Sequence, residues 1–117
     1  MASAATSALI AVAAGAFAAH AVSDPAPREL LKTGASYQMT HALAALAGVV
    51  LAELGLPRGH TAAALFLAGT TFFSGSLYGL ASGAPPWTGA LTPIGGLLFM
   101  FGWAMLAWAS IRRPKGQ

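Results

Sequence analysis

The side chains able to do chemistry in this sequence are histidine, tyrosine, serine, threonine and glutamine residues set in long apolar stretches. An imidazole can bind or transfer a proton, whereas hydroxyls and amides hydrogen-bond without changing charge. Tyr37 and His41 are four residues apart, as are Ser74 and Tyr78, so each pair shares one face of a helix. The candidate ligand-binding residues are His20, Tyr37, Gln38, His41, Ser74, Ser76, Tyr78 and Thr92.

Several kinds of chemistry are excluded by residue content. The chain has no cysteine, which removes disulfides, thiolate metal sites and cysteine nucleophiles. Its acids are Asp24, Glu29 and Glu53, and none of them lies near a histidine within an apolar stretch, so neither a Ser-His-Asp triad nor a carboxylate pair can form. We therefore expect no catalytic residues, no metal and no cofactor.

Three uses of the polar residues stay open. The first is a pocket that binds a lipid or a small polar or anionic ligand. The second is passage of protons, ions or small solutes through an oligomer, with His41 as the titrating group for a proton. This hypothesis is weakened because the rest of the second span after His41 holds no ionisable group before Glu53. The third is haem held between His20 and His41. Each residue also has a structural interpretation, such as a tyrosine at the membrane interface or a serine bonded to its own helix.

The elements that must position these side chains are membrane helices. Of the 117 residues, 56% are hydrophobic and only 8% charged, whereas soluble domains are about one quarter charged. The charges leave three uncharged stretches, and a span needs roughly 20 apolar residues. We predict one all-α membrane domain over residues 1–117 with four transmembrane helices, at about residues 2–22, 36–54, 61–82 and 93–111.

A fifth, shorter helix is expected between the first two spans. Asp24 followed by Pro25 is a typical helix start, and residues 28–33 mix two leucines with three charges. This pattern predicts a short amphipathic helix at the interface, separated from the second span by Gly34.

Small residues at four-residue spacing predict where helices approach closely. Such stripes occur on spans one, two and three, and the strongest runs through the second half of span three. A stripe that makes no contact with another helix of the same chain would favour a homo-oligomer or a larger membrane complex. The glycines expected in helix contacts are Gly15, Gly48, Gly75 and Gly79.

The positive charges predict the orientation of the chain. Four basic residues fall on the side of both termini and two, Arg28 and Lys32, on the other, so the termini are expected in the cytoplasm. The basic residues are too scattered along the chain to form a nucleic-acid-binding site. The expected partners are therefore membrane lipids. In this topology the candidate residues lie in the outer half of the bilayer, and the starts of spans two and four direct partial positive charge at them.

Four motifs in order resemble the domain of unknown function 423 family, which includes relatives of transmembrane protein 256. They are residues 15–20 (GAFAAH), 37–44 (YQMTHALA), 73–78 (FSGSLY) and 92–96 (TPIGG). Ala18 stands where the family usually has a second glycine. The resemblance, which covers nearly the whole chain, implies a four-span protein of the bacterial inner membrane, with relatives in eukaryotic organelles. It implies no known activity and no functional residues.

Overall fold

The computed structural model describes residues 1–112 and consists of long α-helices joined by short turns. Four of its helices are long and apolar enough to cross a membrane, which confirms the predicted all-α, four-span fold. The basic residues expected to anchor the end of the last span, Arg113 and Lys115, lie outside the described residues. In chain order the elements are α1 (Ala2–Ala21), α2 (Pro25–Glu53), α3 (Gly59–Ala81), a 3₁₀ turn (Pro86–Ala90) and α4 (Leu91–Ile111).

The expected interfacial helix is not a separate element, so that prediction was wrong. Asp24 and Pro25 do start a helix, with the Asp24 carboxylate accepting from the Ala26 N–H at 3.3 Å, but this helix is α2 itself. Gly34 lies inside α2 and does not break it. A Cβ added to Gly34 would lie 2.7 Å from the ring of Tyr78, so the glycine admits that ring to the helix backbone.

This correction moves the segment from Tyr37 to His41 away from a helix start. Because α2 begins at Pro25 and has 29 residues, Gln38 lies beside its midpoint. At 1.5 Å per residue, α2 is about 43 Å long, which exceeds the roughly 30 Å hydrocarbon layer. The charged first turns of α2 can therefore extend beyond the hydrocarbon, while His41 lies about 12 Å past Thr33, where the uncharged stretch begins.

The helices form an open arrangement. α2 packs against α1 on one side and α3 on the other, α3 also packs against α4, and α1 barely touches α3. The molecule measures 54 × 26 × 18 Å, so its thinnest dimension corresponds to about two helices. An open space is therefore left between α1 and α3.

Aromatic rings set against glycines hold α3 and α4 together. Phe66 and Phe99 are buried, and each faces a glycine on the opposite helix. A Cβ added to Gly102 would lie 2.6 Å from the Phe66 ring, and one added to Gly69 would lie 2.5 Å from the Phe99 ring. Without glycine at these positions the rings could not reach the facing backbone.

The glycines expected at helix contacts have different surroundings. Gly48 lies directly against α3, since an added Cβ would be 2.8 Å from the carbonyl oxygen of Gly59. Gly15 and Gly79 have neighbours only at ordinary van der Waals distance. Gly75, the first glycine of the strongest stripe, has no neighbour within 4 Å. Four-residue spacing is thus insufficient for contact, because the facing helix must also be present.

Glycines end α2 and α3 in the same way. Gly55 and Gly83 both have φ of +97°, a left-handed conformation that glycine adopts without strain. After Gly55 the N–H of Leu56 donates to the carbonyl of Leu51 at 2.9 Å, as in a Schellman motif. These turns fix the antiparallel return of the chain.

Candidate functional site

The open space between α1 and α3 is a groove of about 670 Å³ with α2 as its floor. No charged residue lines it, and its apolar surface is contributed by residues such as Ile10, Leu67 and Gly75. The groove is nevertheless rich in polar side chains for a surface between membrane helices. Its polar lining residues are Ser3, Thr6, Ser7, Gln38, Thr70, Thr71, Ser74 and Tyr78.

A chain of hydrogen bonds centred on Gln38 crosses the floor of the groove. The Tyr78 hydroxyl donates to Gln38 Oε1 at 2.6 Å, and Gln38 Nε2 donates to Ser7 Oγ at 3.2 Å. Gln38 and Ser7 are only 5% and 8% exposed. One buried amide thus joins α1, α2 and α3. The direction of each bond follows because the amide oxygen of Gln38 can only accept and its nitrogen can only donate.

Other hydroxyls of the groove are already satisfied by backbone carbonyls. Ser74 donates to Gly34 at 2.7 Å, and Thr70 and Thr71 donate to carbonyls four residues earlier on α3. The second N–H of Gln38 and the hydroxyl hydrogen of Ser7 have no partner among the described residues. These two donors are what the floor of the groove offers to a ligand.

His41 lies on a different side of α2, in an aromatic cluster with α4. Its ring stacks on Phe99 with centroids 3.5 Å apart and an interplanar angle of 8°. Trp103 Nε1 lies 3.1 Å from His41 Nε2, and His41 Nδ1 lies 2.7 Å from the carbonyl oxygen of Tyr37. An indole N–H can only donate, so Nε2 accepts and Nδ1 carries the hydrogen. These contacts define a neutral imidazole in one tautomer.

The eight candidate residues therefore do not form one pocket. Ser76 and Thr92 bond to each other at 2.5 Å between α3 and α4, and His20 is exposed in the last turn of α1. His20 shares no hydrogen bond or ring contact with His41 among the described residues. The geometry thus supports neither joint haem ligation by these two histidines nor a proton carrier with a free acceptor nitrogen.

Sequence reasoning missed two residues of these clusters, Ser7 and Trp103. Ser7 precedes Ala11 by four residues and so extends the small-residue stripe of α1, which could have identified it. Trp103 lies in α4. It is 62 residues from His41 in the chain, and no local pattern links the two.

The positive field expected from the starts of α2 and α4 does not reach the groove floor, whereas the first turn of α1, with Ala2 and Ser3, lies in the groove wall. α2 begins thirteen residues before Gln38, a separation of about 20 Å, whereas the helix-end effect fades within one turn. Among residues 1–112, no three histidine, cysteine, aspartate or glutamate side chains converge to hold a metal. No charged side chain lines the groove, so the chemistry of its side chains is hydrogen bonding.

Residues 14–96 match the family described as "Protein of unknown function (DUF423)". The chain is 39% identical over 113 residues to the UPF0382 membrane protein YwdK of Bacillus subtilis, covering 92% of each chain. It is 39% identical over 116 residues to the UPF0382 inner membrane protein YgdD of Escherichia coli, covering 96% of this chain and 88% of YgdD. A UPF0382 membrane protein of Haemophilus influenzae is 41% identical over 104 residues, covering 86% and 84%. No solved structure gives a significant match.

Proposed function

The chain belongs to the DUF423 family of small membrane proteins of unknown function, and we propose that it binds a neutral amphipathic lipid in the groove between α1 and α3. The observation that carries this proposal is the Gln38 amide, which is buried at the groove floor with one N–H unpaired among residues 1–112. A carbonyl or hydroxyl oxygen of a ligand would accept from this N–H and from the Ser7 hydroxyl.

The absence of charge in the lining favours a neutral ligand over the anionic one considered from the sequence. An ionised headgroup removed from water requires a compensating charge, and no charged side chain lines the groove. Its volume of about 670 Å³ lies within the usual range of roughly 300–1,000 Å³ for small-molecule sites. Its combination of apolar walls with a few fixed donors is also typical of such sites.

The depth of the groove indicates which part of a lipid it would bind. Thr70 is the middle residue of the 23-residue α3, and Gln38 lies about 8 Å past Thr33, where the uncharged stretch of α2 begins. A lipid headgroup stays in the interfacial layer, whereas the acyl region lies at this depth. The bound oxygen would therefore belong to a chain or ring that enters the bilayer interior, and water would compete little for the hydrogen bond.

A part in a homo-oligomer or a larger membrane complex is less well supported. Ala11 and Gly48, which belong to the small-residue stripes of α1 and α2, are buried within the monomer. In the small-residue stripe of α3, Gly75 and Gly83 are exposed with no neighbour within 4 Å; Gly75 lines the groove, and Gly83 forms the left-handed turn after α3. We accordingly favour a non-enzymatic binding function.

For the location we propose the bacterial inner membrane with both termini in the cytoplasm. The Escherichia coli relative is named an inner membrane protein, and the termini share a side with Arg58 and Arg112. Because the chain has no cysteine, single cysteines at Ser23 and Gly55 can be labelled with a membrane-impermeant maleimide in intact cells. Labelling at Ser23 alone is expected, and labelling at Gly55 alone would reverse the orientation.

The ligand proposal is tested by blocking the groove without disturbing helix contacts. Gly75→Leu places a side chain in the groove from a position with no neighbour within 4 Å. Gly96→Leu is the matched control, since Gly96 also has open space around it but does not line the groove. Each full-length protein is purified from membranes, and the lipids that remain bound are extracted and identified by mass spectrometry.

We expect a neutral lipid to accompany the wild-type protein and the Gly96→Leu protein, and to be lost from the Gly75→Leu protein. Gln38→Leu should weaken retention without filling the groove, because it removes the donor. Equal lipid content in all four proteins, or none in the wild type, would refute the proposal.

A further inference from the structure

A second feature lies at the opposite end of the molecule, where the α2–α3 turn meets the end of α4. Arg58 precedes α3, with φ of 66°, and Arg112 follows the last residue of α4. Both line one crevice of about 160 Å³ together with Trp108. Two arginines from distant parts of the chain thus face a single small space.

The position of Arg112 is fixed by the aromatic ring. Its guanidinium carbon lies 4.5 Å from the centroid of Trp108, a cation–π arrangement. A guanidinium stacked on a ring face keeps its N–H donors directed outward in its own plane. Those donors remain available to a phosphate, which arginine binds through paired hydrogen bonds.

An apolar groove of about 500 Å³ continues from this crevice along α3 and α4. Arg58 and Trp108 line both spaces, and the groove wall includes Leu65, Phe101 and Met105. Phe101 is 61% exposed and Trp108 is 50% exposed, so the groove opens toward the lipid. Phe101 precedes Arg112 by eleven residues, or about 16 Å along the helix, roughly half the hydrocarbon thickness.

The charges at this end favour an anion. The acid nearest in sequence is Glu53, whose Oε1 lies 3.8 Å from Nε2 of His60. Within residues 1–112, no carboxylate forms a salt bridge with Arg58 or Arg112. The two guanidinium groups therefore present positive charge directly below an apolar surface, the arrangement expected for anionic phospholipids.

We infer that this end of the molecule binds one anionic phospholipid, with its phosphate between Arg58 and Arg112 and an acyl chain along the groove by Phe101. The groove length matches a chain within one leaflet. A soluble phosphate or an acidic peptide would use the arginines but not the lipid-facing apolar groove. This site is independent of the proposed ligand between α1 and α3, because the two share no lining residue.

The test measures lipid selectivity of the full chain in bilayers. The protein is reconstituted in nanodiscs containing phosphatidylcholine and spin-labelled phosphatidylglycerol, and immobilised lipid is quantified by electron paramagnetic resonance. Spin-labelled phosphatidylcholine gives the reference. An arginine near a membrane surface strengthens attraction to anionic lipid about fivefold, so Arg58→Asn with Arg112→Gln should lower the selectivity about 25-fold at most.

Three further variants separate binding from folding and from general charge. Arg58→Lys keeps the charge and should retain selectivity. Lys32→Gln should change nothing, because the charge that it removes at the other end is already paired with Glu29 at 3.6 Å. Ala104→Trp fills the apolar groove and should release the labelled lipid although both arginines remain. Wild-type selectivity in the double arginine variant, or an equal loss in Lys32→Gln, would overturn the inference.

Discussion

The bond between Gln38 and Tyr78 gives the sharpest prediction about the structure. Tyr78→Phe removes one hydrogen bond of 2.6 Å and leaves the ring in place against Gly34. Hydrogen bonds between membrane helices are worth on average about 0.6 kcal/mol and at most about 1.7 kcal/mol. We expect this variant to lose stability within that range, since Gln38 also bonds to Ser7 and stays partly satisfied.

Gln38→Leu should be more damaging, because it removes two bonds and leaves the Tyr78 hydroxyl unpaired. An unsatisfied buried polar group costs about 1–3 kcal/mol. Adding Tyr78→Phe to Gln38→Leu removes that unpaired group, so the double variant should be no less stable than Gln38→Leu alone. The loss in the double variant should therefore fall short of the sum by at least the loss measured for Tyr78→Phe, on average about 0.6 kcal/mol for such a bond.

The free energies of unfolding can be measured for all four proteins by steric trapping in bicelles or by titration with sodium dodecyl sulfate. Thr71→Val combined with Gln38→Leu is the control, because the Thr71 hydroxyl bonds only to its own helix. That pair should be additive to within about 0.3–0.5 kcal/mol. If the pair of Gln38 and Tyr78 were equally additive, the hydrogen-bond chain would not hold the three helices together.

Three more outcomes are expected. Gly95→Ala should destabilise the protein by about 1–3 kcal/mol through overpacking, because its Cβ would lie 2.6 Å from an α3 carbonyl oxygen. Gly96→Ala, at the adjacent residue, should leave the free energy of unfolding unchanged. Denaturant titration of both variants compares these free energies. Gly55→Ala should cost about 1–2 kcal/mol in the same assay, since the left-handed turn strains an alanine. Nitrogen NMR of labelled His41 should show the hydrogen on Nδ1 in the wild type. The hydrogen should stay on Nδ1 in Trp103→Phe, because the Tyr37 carbonyl can only accept, while the Nε2 signal shifts on losing its donor. A wild-type signal from the Nε2–H tautomer would contradict the assigned bonds.

The sequence by itself determined the four membrane spans. Charged side chains are too costly in the hydrocarbon layer, so the positions of nine charges delimit the apolar helices before any packing is known. Asp24 with Pro25 marked the start of a helix for an equally local reason, and Gly55 marked the end of one. Such features depend only on a residue and its immediate neighbours, and the sequence displays them directly.

The tertiary structure alone decided what the polar residues and the glycines do. Gly34 resembles a helix break in the sequence and becomes a contact only because Tyr78 reaches it from α3. Gln38 and His41 are three residues apart, close enough to share a helix face, yet one bonds to α1 and α3 and the other to α4. Which neighbour a side chain meets depends on how helices distant in the chain pack together, and spacing within one helix carries no information about that.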